Sequence, residues 1–223
     1  MDSIYRGDIA ARAGRRNAWI DSLFVDHAAL RLVWSNFAAV IPGRMYRCNH
    51  PTPGRLARLT RRLGLRSLVN LRGATHNGSD ALSRDAASRL HLQFIDLALQ
   101  SGRAPPRAVL LDLIGALRAV AEPALLHCKS GVDRAGFAAG VFLLLNGGSA
   151  ADALAQLSWR FGHLRSSRAG VLDVVFITYG REASSHADFA AWARDAYDPA
   201  CVTTEFKTGT IAAFMNDHLL ARE

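Results

Sequence analysis

The chain has 223 residues, of which 50% are hydrophobic and 21% charged, a balance that fits one globular domain and excludes a disordered or fibrous chain or a long multidomain assembly. Its longest nearly uninterrupted apolar stretch, Ala135 to Leu145, is about half of the ~20 residues that a bilayer crossing needs; the polar segment Met1 to Arg16 lacks the apolar run of a secretory signal, so a cytoplasmic protein is expected. The formal charge of +8, from 27 Lys and Arg against 19 Asp and Glu, favours anionic partners: phosphate esters, acidic lipid surfaces or nucleic acid.

In chain order, the first 40 residues read as a lead-in with a helix near Ala28 to Val40. Four short apolar runs then read as buried strands: Met45 to Cys48, Ser67 to Leu71, Leu92 to Ile95 and Ala124 to His127. Helical patterns separate them. Thr52 to Leu63 places Leu56, Leu59 and Leu63 on one face and stops at Gly64. Ser79 to Leu90 is the second. Pro105 and Pro106 open the third, with Val109, Leu110, Leu113, Leu117 and Val120 at helical spacing until Pro123. This rhythm predicts an α/β fold, a small, largely parallel central sheet of about four to five strands flanked by helices.

Beyond the fourth run the pattern is helical. Arg134 to Leu145 ends at Gly147-Gly148, and Ser149 can cap a helix running to about Arg160. A loop from Phe161 to Ser167 leads to Ala169 to Tyr179, read as helix although its valines also suit a strand. A helix near Ser185 to Tyr197, a turn at Asp198-Pro199 and a helix from Thr210 to Leu220 complete the chain. One domain over residues 1–223 is expected, with a core of about 26–180 and a helical extension over 181–223.

The three cysteines Cys48, Cys128 and Cys201 are too far apart for a disulfide framework or a CxxC metal pair. Cys128 is the informative one. The stretch Leu125-Leu126-His127-Cys128-Lys129-Ser130-Gly131-Val132-Asp133-Arg134 is an apolar strand, a cysteine, a short loop and an arginine opening a helix. Such a loop turns several backbone N–H groups inward, and the helix dipole adds partial positive charge, so it cradles a tetrahedral dianion. The same field stabilises a thiolate, which makes Cys128 a candidate nucleophile. Arg134 offers a planar fork to two phosphate oxygens, and Gly131 permits close approach of the backbone to the anion.

This stretch resembles the signature of the cysteine-dependent protein tyrosine and dual-specificity phosphatase superfamily: His-Cys, five residues, then Arg. Tyr46-Arg47, Pro51-Thr52-Pro53, Asn70-Leu71-Arg72-Gly73, Gln156-Leu157-Ser158 and Phe161-Gly162-His163 extend the resemblance to a bacterial branch of atypical dual-specificity phosphatases, over about Asp26 to Tyr179. The resemblance implies that the cysteine attacks phosphorus and that water hydrolyses the phosphocysteine. It also exposes a departure. Ala135 stands where the superfamily usually has Ser or Thr, whose hydroxyl helps the thiolate leave, so a slow enzyme is expected.

Two aspartates compete as the general acid. Asp96 ends the third strand, at a distance from Cys128 similar to that of the mobile-loop aspartate in dual-specificity phosphatases. Asp133 lies in the loop itself, either turned outward into an ion pair or used as the acid, as lipid-directed bacterial relatives are thought to do; it ranks slightly ahead because its place in the motif sets its distance from substrate. Substrate-binding candidates are His127, Lys129, Ser130, Gly131 and Val132 in the motif, Arg72 after the second strand, Arg103 in a covering loop, and His163. No metal or other cofactor is expected.

The leading reading is a phosphatase acting on phosphate monoesters, with a phospholipid, sugar phosphate or phosphoprotein as substrate and possible peripheral contact with acidic lipid. Rhodanese-type sulfurtransferase and a non-catalytic phosphate-binding module are the alternatives. RNA 5′-triphosphatase chemistry and nucleic-acid partners are disfavoured, since no interleaved aromatic and basic residues suggest a single-strand site.

Overall fold

The computed structural model describes residue 5, residues 7–25 and residues 34–220. Five strands, β1 (Ala38–Ile41), β2 (Met45–Cys48), β3 (Ser67–Asn70), β4 (Gln93–Asp96) and β5 (Ala124–His127), form one sheet in the order β1-β2-β5-β3-β4. β2, β5, β3 and β4 run parallel, and β1 joins the β2 edge antiparallel. Every residue of β2, β3 and β5 is buried, because helices cover both faces, and for that reason their sequences show apolar runs instead of alternation. The two faces still follow the period of two: Leu125 and Leu68 belong to one core cluster, Leu126 and Val69 to the other.

The helices are α1 (Arg12–Ile20), α2 (Pro53–Leu63), α3 (Gly78–Arg89), α4 (Arg107–Ala119), α5 (Asp133–Leu145), α6 (Ala150–Ala155), α7 (Val171–Glu182), α8 (Phe189–Asp195) and α9 (Pro199–Leu220). Local chemistry sets several ends. The Thr52 side chain accepts the Arg55 N–H and Gly64 closes α2 at φ 64°. Asn77 caps α3, and Ser149 with Asp152 forms a capping box on α6. α8 and the start of α9 are tied to the main body by Tyr197, whose hydroxyl donates to the Pro105 carbonyl at 2.7 Å while Arg107 donates to the Tyr197 carbonyl. Trp192 is fully buried between Phe189 and Tyr197.

The α/β class, the parallel centre and the four expected strands agree with the sequence reading. The lead-in does not. Of the helix expected near Ala28 to Val40, residues 28–33 lie outside the described residues, while residues 34–37 are extended and Ala38–Ile41 is strand β1. Pro42-Gly43 turns the chain back, with Gly43 at φ 78°, so that Ala39 pairs with Tyr46. A second difference lies after Ser149: α6 stops at Ala155, and the segment up to Phe161 is a loop with one 3₁₀ turn. Pro199, read as a turn, is the first residue of one helix that runs through to Leu220. Helix α1 went unread; it packs on α3, where Gly78 is obligatory because a Cβ would lie 2.3 Å from the Ala18 carbonyl oxygen.

Candidate active site

β5 brings the chain to the C-terminal edge of the sheet at His127, and Cys128 begins the loop that enters α5. Cys128 is buried, and its Sγ accepts a hydrogen bond from the Gly131 N–H at 3.2 Å. This bond closes the loop around the sulfur. Gly131 sits at φ 74°, and a Cβ there would lie 2.5 Å from the Asn49 nitrogen. The close approach that requires glycine is therefore to the backbone end of β2, on the side of the loop away from its mouth.

The carbonyls of Lys129 to Val132 are held from outside. The Lys129 oxygen accepts the His50 N–H, and the Ser130 oxygen accepts the Asn36 side-chain amide. The Gly131 and Val132 oxygens both accept from Nη2 of Arg47, at 2.7 and 2.9 Å. In a trans peptide the carbonyl and the following N–H point to opposite sides. Pulling the oxygens of Lys129 to Val132 outward therefore turns the N–H groups of Ser130 to Asp133 inward, toward the sulfur and the space above it. The start of α5 adds its dipole to the same point.

Arg47 is the residue that sequence reasoning undervalued, quoting it only within a motif. It is fully buried, lies 4.0 Å above the Phe161 ring and donates from Nη1 to the backbone and side-chain oxygens of Gln156. Burial lowers its pKa to about 10, against the opposing pull of Cys128, Cys48 and Asp133, so it remains a cation at neutral pH. It thus sets a fixed charge beneath the loop and links the loop to the Gln156–Phe161 segment.

Asp133 and Asp96 sit in different settings. Asp133 Oδ1 bonds Nδ1 of His163 at 2.8 Å, and Nε2 of His163 bonds Oδ2 of Asp173 at 2.6 Å. Arg165 holds the other oxygen of Asp173 at 3.0 Å. Burial alone would lower the His163 pKa, but the hydrogen bonds to both carboxylates and their charges outweigh it and raise it to about 9. At neutral pH His163 is an imidazolium donating at both ends. Asp133 Oδ2 carries no hydrogen bond among the described residues. Asp96, by contrast, has both oxygens engaged, Oδ1 by the Asn70 side chain at 2.9 Å and Oδ2 by Arg84 at 2.6 Å. Its strand is separated from β5 by β3, which puts it roughly 10 Å from His127 at the usual strand spacing.

The other candidates divide similarly. Arg134 occupies the first turn of α5, partly exposed, and makes no hydrogen bond or ion pair among the described residues. Lys129 and Ser130 are exposed at the loop, and Val132 is partly so. His127 is buried beneath, its ring 4.6 Å from that of His50. Arg72 reaches to this pair, its Nη1 3.1 Å from Nδ1 of His50. Arg103 lines a separate cleft of about 170 Å³ with Gln100, Pro105 and Val109. Ala135, whose missing hydroxyl marks the departure from the superfamily pattern, is fully buried.

Such a site is built to bind a tetrahedral dianion over a sulfur atom. A family model described as the tyrosine phosphatase family matches residues 33–219, and the chain belongs to that family: it is a cysteine-dependent phosphatase that hydrolyses phosphoesters through a phosphocysteine. This decides against the sulfurtransferase alternative. No curated protein matches the sequence. Among solved structures, TpbA of P. aeruginosa is similar at 22% identity and TM-score 0.50, over 66% of this chain and 89% of that one. The core catalytic domain of the S. cerevisiae PP-IP phosphatase SIW14 is similar at 18% identity and TM-score 0.52, over 67% and 94%. A phosphatase-like protein of Shewanella putrefaciens matches at 13% identity and TM-score 0.52, over 69% and 99%. These likenesses concern the fold.

Proposed function

We propose that Cys128 is the nucleophile, Arg134 the phosphate-binding fork and Asp133 the general acid, and that the substrate is a phosphate monoester of a lipid or sugar alcohol. The Cys128 thiolate attacks phosphorus and the bond to the leaving oxygen breaks, with Asp133, protonated on Oδ2 in the substrate-bound form while Oδ1 still accepts from His163, supplying the proton that makes it an alcohol. Water then attacks the phosphocysteine, the sulfur–phosphorus bond breaks, inorganic phosphate leaves, and the proton lost by water returns to Asp133. Asp133 is preferred to Asp96 because its Oδ2 is unengaged and it adjoins Arg134. His163 acts on the reaction by holding Asp133 in place. Ala135 leaves the departing thiolate without a hydroxyl partner, so breakdown of the phosphocysteine is the slow step.

The observation that carries this reading is the outward anchoring of the loop carbonyls around a sulfur that accepts the Gly131 N–H. The lipid or sugar ester is favoured by the exposed Lys129 and by an arginine-rich setting. The protein is taken to work in the cytoplasm, without a metal, as one domain. The test is acid quenching during turnover followed by peptide mass spectrometry: phosphate should be found on Cys128. Cys128→Ser should abolish turnover yet still bind vanadate, and full activity in that variant would sink the assignment. Arg134→Lys should also be severe, because a point charge cannot replace the fork.

A further inference from the structure

The segment that anchors His163 also carries an unusual surface. Trp159 is 84% exposed and Leu164 61% exposed, and the two flank a cleft of about 370 Å³ whose floor includes Leu157 and His163. Trp34, 56% exposed, lies against the same turn, since a Cβ on Gly162 would be 2.8 Å from its ring and 3.7 Å from Val132 of the anion loop. Large apolar side chains thus stand in solvent directly beside the mouth. Their setting is cationic: Gln156 to Gly170 contains Arg160, Arg165 and Arg168 and no Asp or Glu. Arg160 and Arg168 are exposed. The rim continues to the loop that holds Arg103, because a side chain on Gly102 would touch Arg168 Cβ at 3.6 Å. The acidic groups beneath, Asp133 and Asp173, are already paired with His163 and Arg165.

Tryptophan and leucine beside Arg160 and Arg168, which make no ion pair among the described residues, with carboxylates withdrawn, match the chemistry of a membrane interface. The indole and the aliphatic chain enter the boundary between headgroups and acyl chains, and the guanidinium groups face lipid phosphates. A soluble polar ligand would not use the apolar members, and a purely apolar partner would leave the arginines without counter-charges. We propose that the Trp159–Arg168 segment, together with Trp34, seats the mouth of the anion loop on an anionic lipid bilayer, so that phosphate esters are drawn from the lipid surface. The proposal rests on the phosphatase reading for what happens after docking, but the docking itself can be tested separately.

The experiment is flotation of the full chain with vesicles of phosphatidylcholine alone or mixed with phosphatidylglycerol, alongside para-nitrophenyl phosphate turnover in solution. Binding is expected to the mixed vesicles only and to weaken in high salt. Arg160→Gln should weaken it about fivefold, the effect of one basic residue at an anionic surface. Trp159→Ser with Leu164→Ser should weaken it by at least about tenfold, while turnover of the soluble ester stays within about twofold of wild type. No binding to mixed vesicles, or binding indifferent to Trp159 and Leu164, overturns the proposal and leaves the phosphatase reading standing. Capture of a phosphopeptide that depends on Trp159, without vesicle binding, also overturns it. Vesicle binding that needs both residues, in a protein that turns over no phosphate ester, supports the docking surface and removes the function proposed for the loop.

Discussion

The two sides of the anion loop use their side chains differently. Beneath it, Arg47, Asn36 and the His50 backbone are buried and donate to named loop oxygens, while Gln156 accepts from Arg47. Above it, Arg134, Lys129, Trp34, Trp159 and Leu164 reach toward solvent. A catalytic loop needs both. Its N–H groups stabilise developing charge without reorganisation only if their directions are fixed beforehand, which is what the buried donors accomplish. Its upper side has to exchange substrate for water, so those groups lie at the surface. Asp133 stands on the boundary, with one oxygen tied to His163 on the buried side and the other open.

The boundary position makes Asp133 the sharpest probe of the comparison. Asp133→Asn should slow hydrolysis of alkyl phosphates by roughly 10²–10⁴-fold, the usual worth of a positioned acid. The loss should shrink for para-nitrophenyl phosphate, whose leaving group hardly needs a proton. Asp96→Asn should leave alkyl phosphate rates nearly unchanged, its damage being confined to the Arg84 and Asn70 contacts. If the two variants exchange behaviour, the acid comes from the β4 end and Asp133 belongs wholly to the buried side.

A probe of the underside comes next in size. Arg47→Met keeps bulk under the loop but leaves the Gly131 oxygen without its donor and the Val132 oxygen with only the Gly136 N–H. Removing preorganisation of this kind should lower kcat by about 10²–10³-fold, with vanadate affinity falling in parallel. Arg47→Lys, which preserves the charge and one or two of the bonds, should recover part of both. Equal loss in the two variants, with a normal thermal midpoint, would mean that the guanidinium shape matters and the charge does not.

How much of this was legible in the residues depends on the reach of each interaction. β5 and the Cys128-to-Arg134 segment could be read directly, because an apolar run followed by a cysteine, a glycine and an arginine is a local pattern with a local cause. β1 could not, since Ala38–Ile41 is short and only partly buried; the Pro42-Gly43 turn before Met45 was the available signal of a hairpin. α6 was read too long because the capping box marks where a helix starts and says little about where it stops. Arg47 was hidden because an arginine inside a strand suggests an exposed edge, and its partners lie at Gly131 and Gln156. The Asp133–His163–Asp173 chain was hidden as a chain: Asp133 and His163 stood out singly, Asp173 did not, and only folding brings the three into line.

That chain gives the smallest and most specific prediction. His163 has its pKa raised to about 9 in the folded protein, against an ordinary value near 6.5 in the unfolded chain. A group whose folded pKa is raised contributes stability that is fully present below the unfolded value and is lost as pH rises through the folded one. Between pH 6.5 and about 9.5 the wild-type protein should therefore lose on the order of 3 kcal/mol of unfolding free energy in urea titrations. His163→Gln is less stable at pH 6.5 but should show little of this slope, because its amide cannot titrate. Asp173→Asn removes one of the two carboxylates and should give an intermediate slope with an earlier midpoint. An unchanged slope in His163→Gln would transfer the pH dependence to other groups and leave the buried side of Asp133 without its cation.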